Sequence, residues 1–453
     1  MNPLSLSLLA GMSGATLMAG DPEVLVSGIS KDTRTIRPGD LYVALRGEHF
    51  DGNRFLPEAA AMGAAGALCD AEPPVGLPAG FGILSASDAL TGLTLLAAAW
   101  RSKLQLRAVA LTGSSGKTST KDFTSAVLRS RFRVTATRGN LNNQIGVPLS
   151  ILEANLEDEA AVWELGMNHR GEIAQLAGLA LPEIGIITNI GTAHIEHLGS
   201  REEIAREKGD LFERIPSGGC AILPVWDDFA ADLRARTKAR ILEVGFDAGN
   251  LRAADVTQDL EGSRFVIDGD FGRASARLGV PGRHMVGNAL LAVAAGVACG
   301  IPLGECAEGL IRGELTGGRL GRVERRGVTL LDDTYNANPE SMTAALETLG
   351  ALPGSGRKIA VLGKMGELGA HASAGYERVG RVAASRLDTL LCVGHEAGAM
   401  AEAASSAGLA DTRVVEDNAA AATLLSSLAR PGDLVLLKGS RSARMEEVLQ
   451  RFI

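Results

Sequence analysis

The stretch LTGSSGKTST, residues 111–120, constrains the fold of this chain more than any other. It is a turn of small residues closing on Gly116-Lys117-Thr118. Before it lies an apolar run of strand type, AVAL (108–111). After it comes TKDFTSAVLRSRF (120–132), where Phe123, Val127 and Leu128 share one helical face. Strand, glycine turn and helix in that order predict a phosphate loop. Its backbone N–H groups and the helix N-terminus would form an anion nest. Lys117 would reach the outer phosphates, and the Thr118 hydroxyl would suit Mg²⁺. The common pattern, G-x-x-x-x-G-K-[ST], would place its first Gly at 111, where this chain has Leu. The nearest glycine is Gly113, so the loop is a compact form. A Gly/Ser-rich strand-to-helix turn with no ligand is the ordinary alternative.

A phosphate loop of this kind needs a parallel sheet behind it, and the rest of the chain supplies the pattern. The 453 residues exceed one typical core, and about 100–200 residues per domain suggests two to four domains. Apolar runs such as AAVWEL (160–165) and EIGIITNI (183–190) alternate with helical stretches, the rhythm of a parallel sheet with crossover helices. The expected fold class is α/β in three domains. Residues 1–103 form a small α/β unit, 104–315 a central P-loop sheet domain, and 316–453 a Rossmann-like unit, with LTGGRLGR (315–322) as a linker. In the last unit VTLLDDTYNANP, KIAVLG, TLLCVG and DLVLLKGS read as four strands.

Composition narrows the partners. The net charge is −8 with no block of Lys or Arg, which argues against a nucleic-acid surface but not against a phosphorylated substrate. Cys69, Cys220, Cys299, Cys306 and Cys392 are scattered without C-x-x-C spacing and read as reduced thiols. The apolar N-terminus lacks a cationic n-region, so no signal peptide is expected. NALLAVAAGVACGIPLG (288–304) is shorter than the ~20 residues needed to span a bilayer and is broken by Pro302, so it reads as a buried helix. A cytoplasmic chain with no membrane span is expected.

Several polar residues stand at strand ends, where ligands bind in open parallel sheets. Glu164 ends AAVWE, where a carboxylate suits Mg²⁺, or is simply solvated. Thr188 and Asn189 end the next strand, with His194 and His197 just beyond. His194 could orient a phosphate or ligate a metal, or be an ordinary loop histidine; the pair has no zinc spacing. Lys208, in EEIAREKGDLF, reads by spacing alone as a solvated surface lysine. Asn288 heads an apolar helix and would read an adenine edge or cap the helix. Arg319 and Arg322 offer guanidinium groups for phosphate, and Asp332 and Asp333 could hold ribose hydroxyls or form an Asx turn. VLGKMGELG is not G-x-G-x-x-G and carries little weight as a dinucleotide site.

Taken in order, TGSSGKT, GNLNNQIGVPL, WELGMNHRGEI, TNIGTAHIEHLG, EKGDLF, GRHMVGNALLA, DDTYNANPESM, VLGKMGELG and LKGSRSARMEEV resemble the Mur ligases of bacterial cell-wall synthesis. The likeness covers nearly the whole chain, including SKDTRTIRPGDLYVALRGEHFDGNRF. It is specific as a combination, although no single motif is. It also accounts for Leu111, because the family's loop is this compact one. More narrowly, the motifs resemble those members that join D-alanyl-D-alanine to UDP-N-acetylmuramoyl-tripeptide at the expense of ATP.

The resemblance implies an N-terminal domain for the UDP substrate, a central ATP domain and a C-terminal domain that brings the dipeptide and closes over the site. It assigns the nucleotide to Gly113, Ser114, Ser115, Gly116, Lys117, Thr118 and Ser119, with Asn288 on adenine, Arg319 on phosphates and Asp333 on ribose. It assigns Mg²⁺ to Thr118 and Glu164, with His194 and a carbamylated Lys208 serving a second metal. Lys117, Lys208 and His194 become the catalytic set. Ser30, Asp32 and Arg34 lie where uridine diphosphate is held. Asn142, Asn143 and Thr188 lie where peptide and sugar are expected, and Tyr335, Asn336 and Asn338 where the closed C-terminal domain meets nucleotide and dipeptide. Lys364 stands where an Asp is common in the family, and Asn53 where a His is common. A monomer is expected.

Other readings stay open on the sequence. Sister ligases that add one amino acid carry an Asp-Asn-Pro-Arg tetrapeptide, which this chain lacks. A folylpolyglutamate synthase-like ligase would not explain the N-terminal SKDTRT…PGDL motif. A P-loop kinase or regulatory ATP-binding module would leave Glu164, His194 and Lys208 incidental.

Overall fold

The computed structural model describes residues 1–452 and separates into two compact units. The first comprises Met1–Ala110, Phe132–Gly166 and Glu172–Glu183. The second comprises Leu111–Arg131, Met167–Gly171 and the chain from Ile184 onward.

In the first unit, four parallel strands lie in the order Gly82–Ser85, Gly66–Cys69, Asp40–Val43, Gly28–Ser30. Thr16–Ala19 is added antiparallel at the edge. Asp40–Val43 is buried at all four positions, as expected for a parallel strand covered on both faces. Ile36, Tyr42, Leu56, Phe81 and Ile83 form a core there. Strand Gly28–Ser30 ends in a short 3-10 turn, Thr33–Thr35, capped by the Asp32 carboxylate. The same unit holds the parallel pair Val134–Ala136 and Ala160–Glu164. The second of these is fully buried, as its apolar run predicts.

The strand Arg107–Thr112 leads into the second unit, and its last residues precede the loop and the helix Lys117–Leu128. Ile184–Ile187, Cys220–Pro224 and Arg240–Gly245 are parallel neighbours with helices between them, the expected rhythm. The chain then departs from it. Gly262–Gly269 pairs antiparallel with both Leu251–Asp259 and Gly272–Leu278, a meander rather than crossovers. The turns around Gly262 and Gly272, both at positive φ, make those tight reversals possible. Helix Arg283–Ala298 is buried along most of its length, and no helix among the described residues is long and apolar enough to cross a membrane.

The six-stranded C-terminal sheet runs Gly321–Arg325, Val328–Asp333, Leu434–Lys438, Lys358–Leu362, Thr389–Val393, Asp411–Val415. The four expected strands are its parallel centre, around a core of Leu330, Ile359, Val361, Leu391, Val435 and Leu437. The two edges were not anticipated. Gly321–Arg325 takes the end of the expected linker, because Arg326 and Gly327 both sit at positive φ and close a two-residue hairpin.

Candidate active site

The loop's shape follows from its glycines. Gly113 has φ +155°, and a Cβ there would lie 1.8 Å from the Thr188 hydroxyl. Gly116 has φ +76°, and a Cβ there would meet the Asn288 carboxamide at 2.6 Å. Both positions thus demand glycine for conformation and for space. The helix that follows has no side-chain N-cap, which leaves its positive end to the loop. Thr118 and Ser119 are buried in its first turn. The Lys117 ammonium arches back and donates to the Gly113 carbonyl at 2.7 Å.

The tail of strand Ile184–Ile187 locks onto the loop. The Ser114 N–H donates to the Asn189 carbonyl at 3.0 Å and the Ser115 N–H to the Asn189 Oδ1 at 2.8 Å. The Thr188 hydroxyl donates to the Ser115 carbonyl at 2.6 Å. Thr188, expected on the peptide and sugar, is thus a brace of the loop. The expected anion nest is also narrower than the run of loop amides suggests, because two of them face Asn189. Asn338 donates to the Ser114 carbonyl at 3.2 Å while capping its own helix, Pro339–Ala351, through Ser341.

Lys208 is 1% exposed, which rules out a solvated surface lysine. Burial pushes its pKa well below the ordinary lysine value, the Lys117 charge adds to the shift, and Glu207 opposes it. Burial and the Lys117 charge both favour the uncharged amine. His194 holds φ +66°, a conformation uncommon for residues with a Cβ. Its Nδ1 lies 2.5 Å from the Glu367 carboxylate. Burial lowers the His194 pKa, against the pull of Glu367. The imidazole therefore favours its neutral form, which can donate a lone pair.

Asn288 is an interior residue of its helix, whose N-cap is Gly282, so the capping alternative fails. Asp333 and Lys438 are register partners on adjacent parallel strands and form a buried ion pair of 2.6 Å. Lys438 also donates to the Asn336 carbonyl. Arg319 lies 4.1 Å over the Tyr335 ring and donates to the Thr316 carbonyl. Lys364 pairs with Glu396 at 3.3 Å.

In the first unit, Glu164 is 2% exposed, not solvated. Its Oε1 accepts from Asn142 at 2.7 Å, whereas Oε2 is buried without a hydrogen-bond partner. A bare, buried carboxylate oxygen fits a hard cation. No three His, Cys, Asp or Glu side chains converge as a metal-ligand set among the described residues. Mg²⁺ does not require one, since it takes one or two carboxylates, water and substrate phosphate. Asn143 accepts from the Ile145 and Gly146 N–H groups in the turn that leads into the following helix. Ser30, Asp32 and Arg34 form one turn that runs from buried Ser30 through half-buried Asp32 to exposed Arg34. Asp32 receives two hydrogen bonds from the Arg34 guanidinium, at 2.9 and 2.6 Å, which hold its pKa down to about 2. Asn53 is buried and donates to both Asp51 and Asp70, a turn-fixing role.

Sequence reasoning assigned no role to Asn189, Lys438, Glu207 or Glu367. Asn189 directly follows the named Thr188 at a strand end, and that position was the available signal. The Asp333–Lys438 register joins strands far apart in the chain and leaves no local trace.

Three family models match successive stretches: "Mur ligase family, catalytic domain" over residues 25–90, "Mur ligase middle domain" over 111–296, and "Mur ligase, glutamate ligase domain" over 318–441. The chain is 36% identical to the UDP-N-acetylmuramoyl-tripeptide–D-alanyl-D-alanine ligase of Escherichia coli (strain K12), covering 99% of this chain and 98% of that one. A crystal structure of MurF from Acinetobacter baumannii superposes with TM-score 0.91 at 34% identity, covering 100% of this chain and 99% of that one. MurF from Thermotoga maritima in complex with ADP gives 0.83 at 27% identity, covering 94% of this chain and 97% of that one.

Proposed function

The chain belongs to the Mur ligase family, and from that premise we propose that it joins D-alanyl-D-alanine to UDP-N-acetylmuramoyl-tripeptide, with ATP going to ADP and phosphate. The observation that carries the reading is Lys208, a lysine buried in the second unit whose pKa is pushed down by burial and by the Lys117 charge of the phosphate loop. A bare nucleotide-binding module has no use for such a group. The relatives' shared activity supports the choice of dipeptide, and the ADP complex of a relative supports ATP.

The chemistry asked of the residues is modest. The tripeptide carboxylate attacks the γ-phosphorus, ADP leaves, and an acyl phosphate forms. The dipeptide amine then attacks the acyl carbon, the amide forms, a proton is lost and phosphate departs. Lys117 stabilises charge on the transferring phosphoryl group. We assign Mg²⁺ to Thr118 and Glu164, and a second ion to His194 and Lys208. Bound there, Mg²⁺ would neutralise phosphate charge. A neutral Lys208 amine can add CO₂, and the resulting carbamate offers the oxygen donors that a hard cation accepts. Asn288 is placed against adenine, Arg319 and Asp333 against phosphate and ribose, and Ser30, Asp32 and Arg34 against uridine diphosphate. Asn142, Asn143 and Thr188 are assigned to peptide and sugar, and Tyr335, Asn336 and Asn338 to nucleotide and dipeptide. Residues 1–103, 104–315 and 316–453 divide these tasks, in a cytoplasmic monomer.

Phosphate release with Mg-ATP and UDP-N-acetylmuramoyl-tripeptide tests the reading. Release should require D-alanyl-D-alanine and yield a pentapeptide by mass. Release driven instead by a single amino acid on a shorter acceptor would move the chain to a sister activity. Release indifferent to every amine would overturn the ligase.

A further inference from the structure

The compact loop lacks the first glycine of the longer pattern, yet it is held more tightly than a free glycine turn would be. Among the residues outside it that restrain it, Asn189 makes the most hydrogen bonds. Asn189 uses three polar groups on the loop: its carbonyl accepts from the Ser114 N–H, its Oδ1 from the Ser115 N–H, and its Nδ2 donates to the Ser115 hydroxyl at 3.0 Å. Around it, the Gly191 N–H donates to the Ser114 hydroxyl at 2.8 Å, and Thr188 takes the Ser115 carbonyl. The Thr188 N–H donates to the Thr112 carbonyl, so the clamp is anchored on the strand that feeds the loop.

We propose that Asn189 is the positioning residue of the phosphate loop. Its carboxamide fixes the Ser114-Ser115 peptides in one orientation and confines phosphate reading to Lys117 and the first turn of the helix. This rests on the ATP reading above. A carboxamide suits the task because it accepts and donates at once in a fixed plane, so both faces of the Ser115 residue are held by a single rigid group. Two amides spent on the strand cost phosphate contacts. In return the loop enters binding already ordered, which lowers the entropic cost of association.

The test uses the full chain, with ADP, adenosine and the UDP substrate as probes. Asn189→Ala should weaken ADP by about tenfold, the loss expected when a buried hydrogen-bonding network is left open. Asn189→Asp is isosteric and keeps the acceptor for the Ser115 N–H, so it preserves the fold. It places a carboxylate beside the loop and should weaken ADP further. Adenosine, which has no phosphates, should bind both variants within about twofold of the parent, and the KM for the UDP substrate should stay level, as expected for a loss confined to the phosphate subsite. ADP affinity unchanged in both variants would overturn the proposal. Equal losses for ADP and adenosine would overturn it too, by making Asn189 a general structural support. If the parent chain binds no ADP, the ATP reading fails and the positioning role fails with it, an outcome distinct from the other two.

Discussion

Hydrogen bonds that tie the phosphate loop to the tail of strand Ile184–Ile187 span 73 to 77 residues of sequence. Those that shape the turn of Ser30, Asp32 and Arg34 span two to five. The loop is buried and braced from another strand. The turn carries its cation in the open, with the Arg34 side chain 83% accessible, and its charges satisfy each other. The contrast separates two ways of preparing for an anionic ligand. In the loop, the fold orders the donors before the ligand arrives. In the turn, a ligand held as proposed would have to draw Arg34 away from Asp32 and order the side chain itself. Mutations should therefore be costly in the loop and mild in the turn.

The largest effect is expected at Lys117. Its ammonium is held over the loop by the Gly113 carbonyl, poised for the phosphoryl group. Lys117→Ala should lower kcat by about a thousandfold or more, as loss of a preorganised charge does. Single-turnover phosphate release measures it. Near-normal turnover would mean that the ordered loop serves binding alone, and the contrast with the turn would lose its chemical meaning.

Lys208 comes next. Lys208→Ala should cost at least about a hundredfold in kcat, the scale of a disrupted metal environment. Short carboxylic acids should restore part of it, because they can stand in for carbamate oxygens. An alanine variant with full activity would remove Lys208 from the mechanism; an inactive one without rescue would leave the lysine but reject the carbamate.

A third, smaller effect concerns stability. His284 sits beside Thr348, and burial, aided by the Lys438 charge, lowers its pKa to about 4. A ring that folds neutral binds fewer protons than the unfolded chain between pH 6.5 and about 4. Stability from this residue is thus complete above pH 6.5 and is lost as pH falls toward 4, by about 1–3 kcal/mol for a ring that keeps some solvent contact. Denaturant titrations at pH 7 and pH 5 should show the loss in the parent and a flatter response in His284→Gln. Equal slopes would mean that the buried side of the comparison carries no titratable strain here.

The same contrast explains what the sequence made legible. The loop, the parallel strands around it and the four central strands of the C-terminal sheet are written in local pattern: apolar runs, Gly-Lys-Thr, turn residues. The meander over residues 251–278 was legible in principle, since its glycine turns and alternation mark hairpins. The parallel rhythm expected of residues 104–315 does not extend to it. Glu164 and Lys208 could be named only by resemblance, because burial is a tertiary property that neither residue's neighbours announce. The Asp333–Lys438 pair and the grip of Asn189 on Ser115 depend on which strands become neighbours, and no local window contains that choice.

The smallest effect is expected at the turn of Arg34. Arg34→Ala removes a cation that Asp32 already engages and solvent already reaches. An exposed ion pair contributes about 0–1 kcal/mol, so the fold should not notice. Binding gains from Arg34 only what remains after its guanidinium is drawn off Asp32. The KM for the UDP substrate should rise about threefold with kcat unchanged, and the difference should shrink in high salt, as expected for a screened surface charge. Asp32→Asn separates two versions of this idea. If Asp32 merely competes for Arg34, freeing the guanidinium should lower KM slightly. If the pair presents Arg34 in one geometry, the same change should raise it. A hundredfold loss in either variant would put the turn in the class of the loop, ordered in advance for its ligand despite the exposure of Arg34.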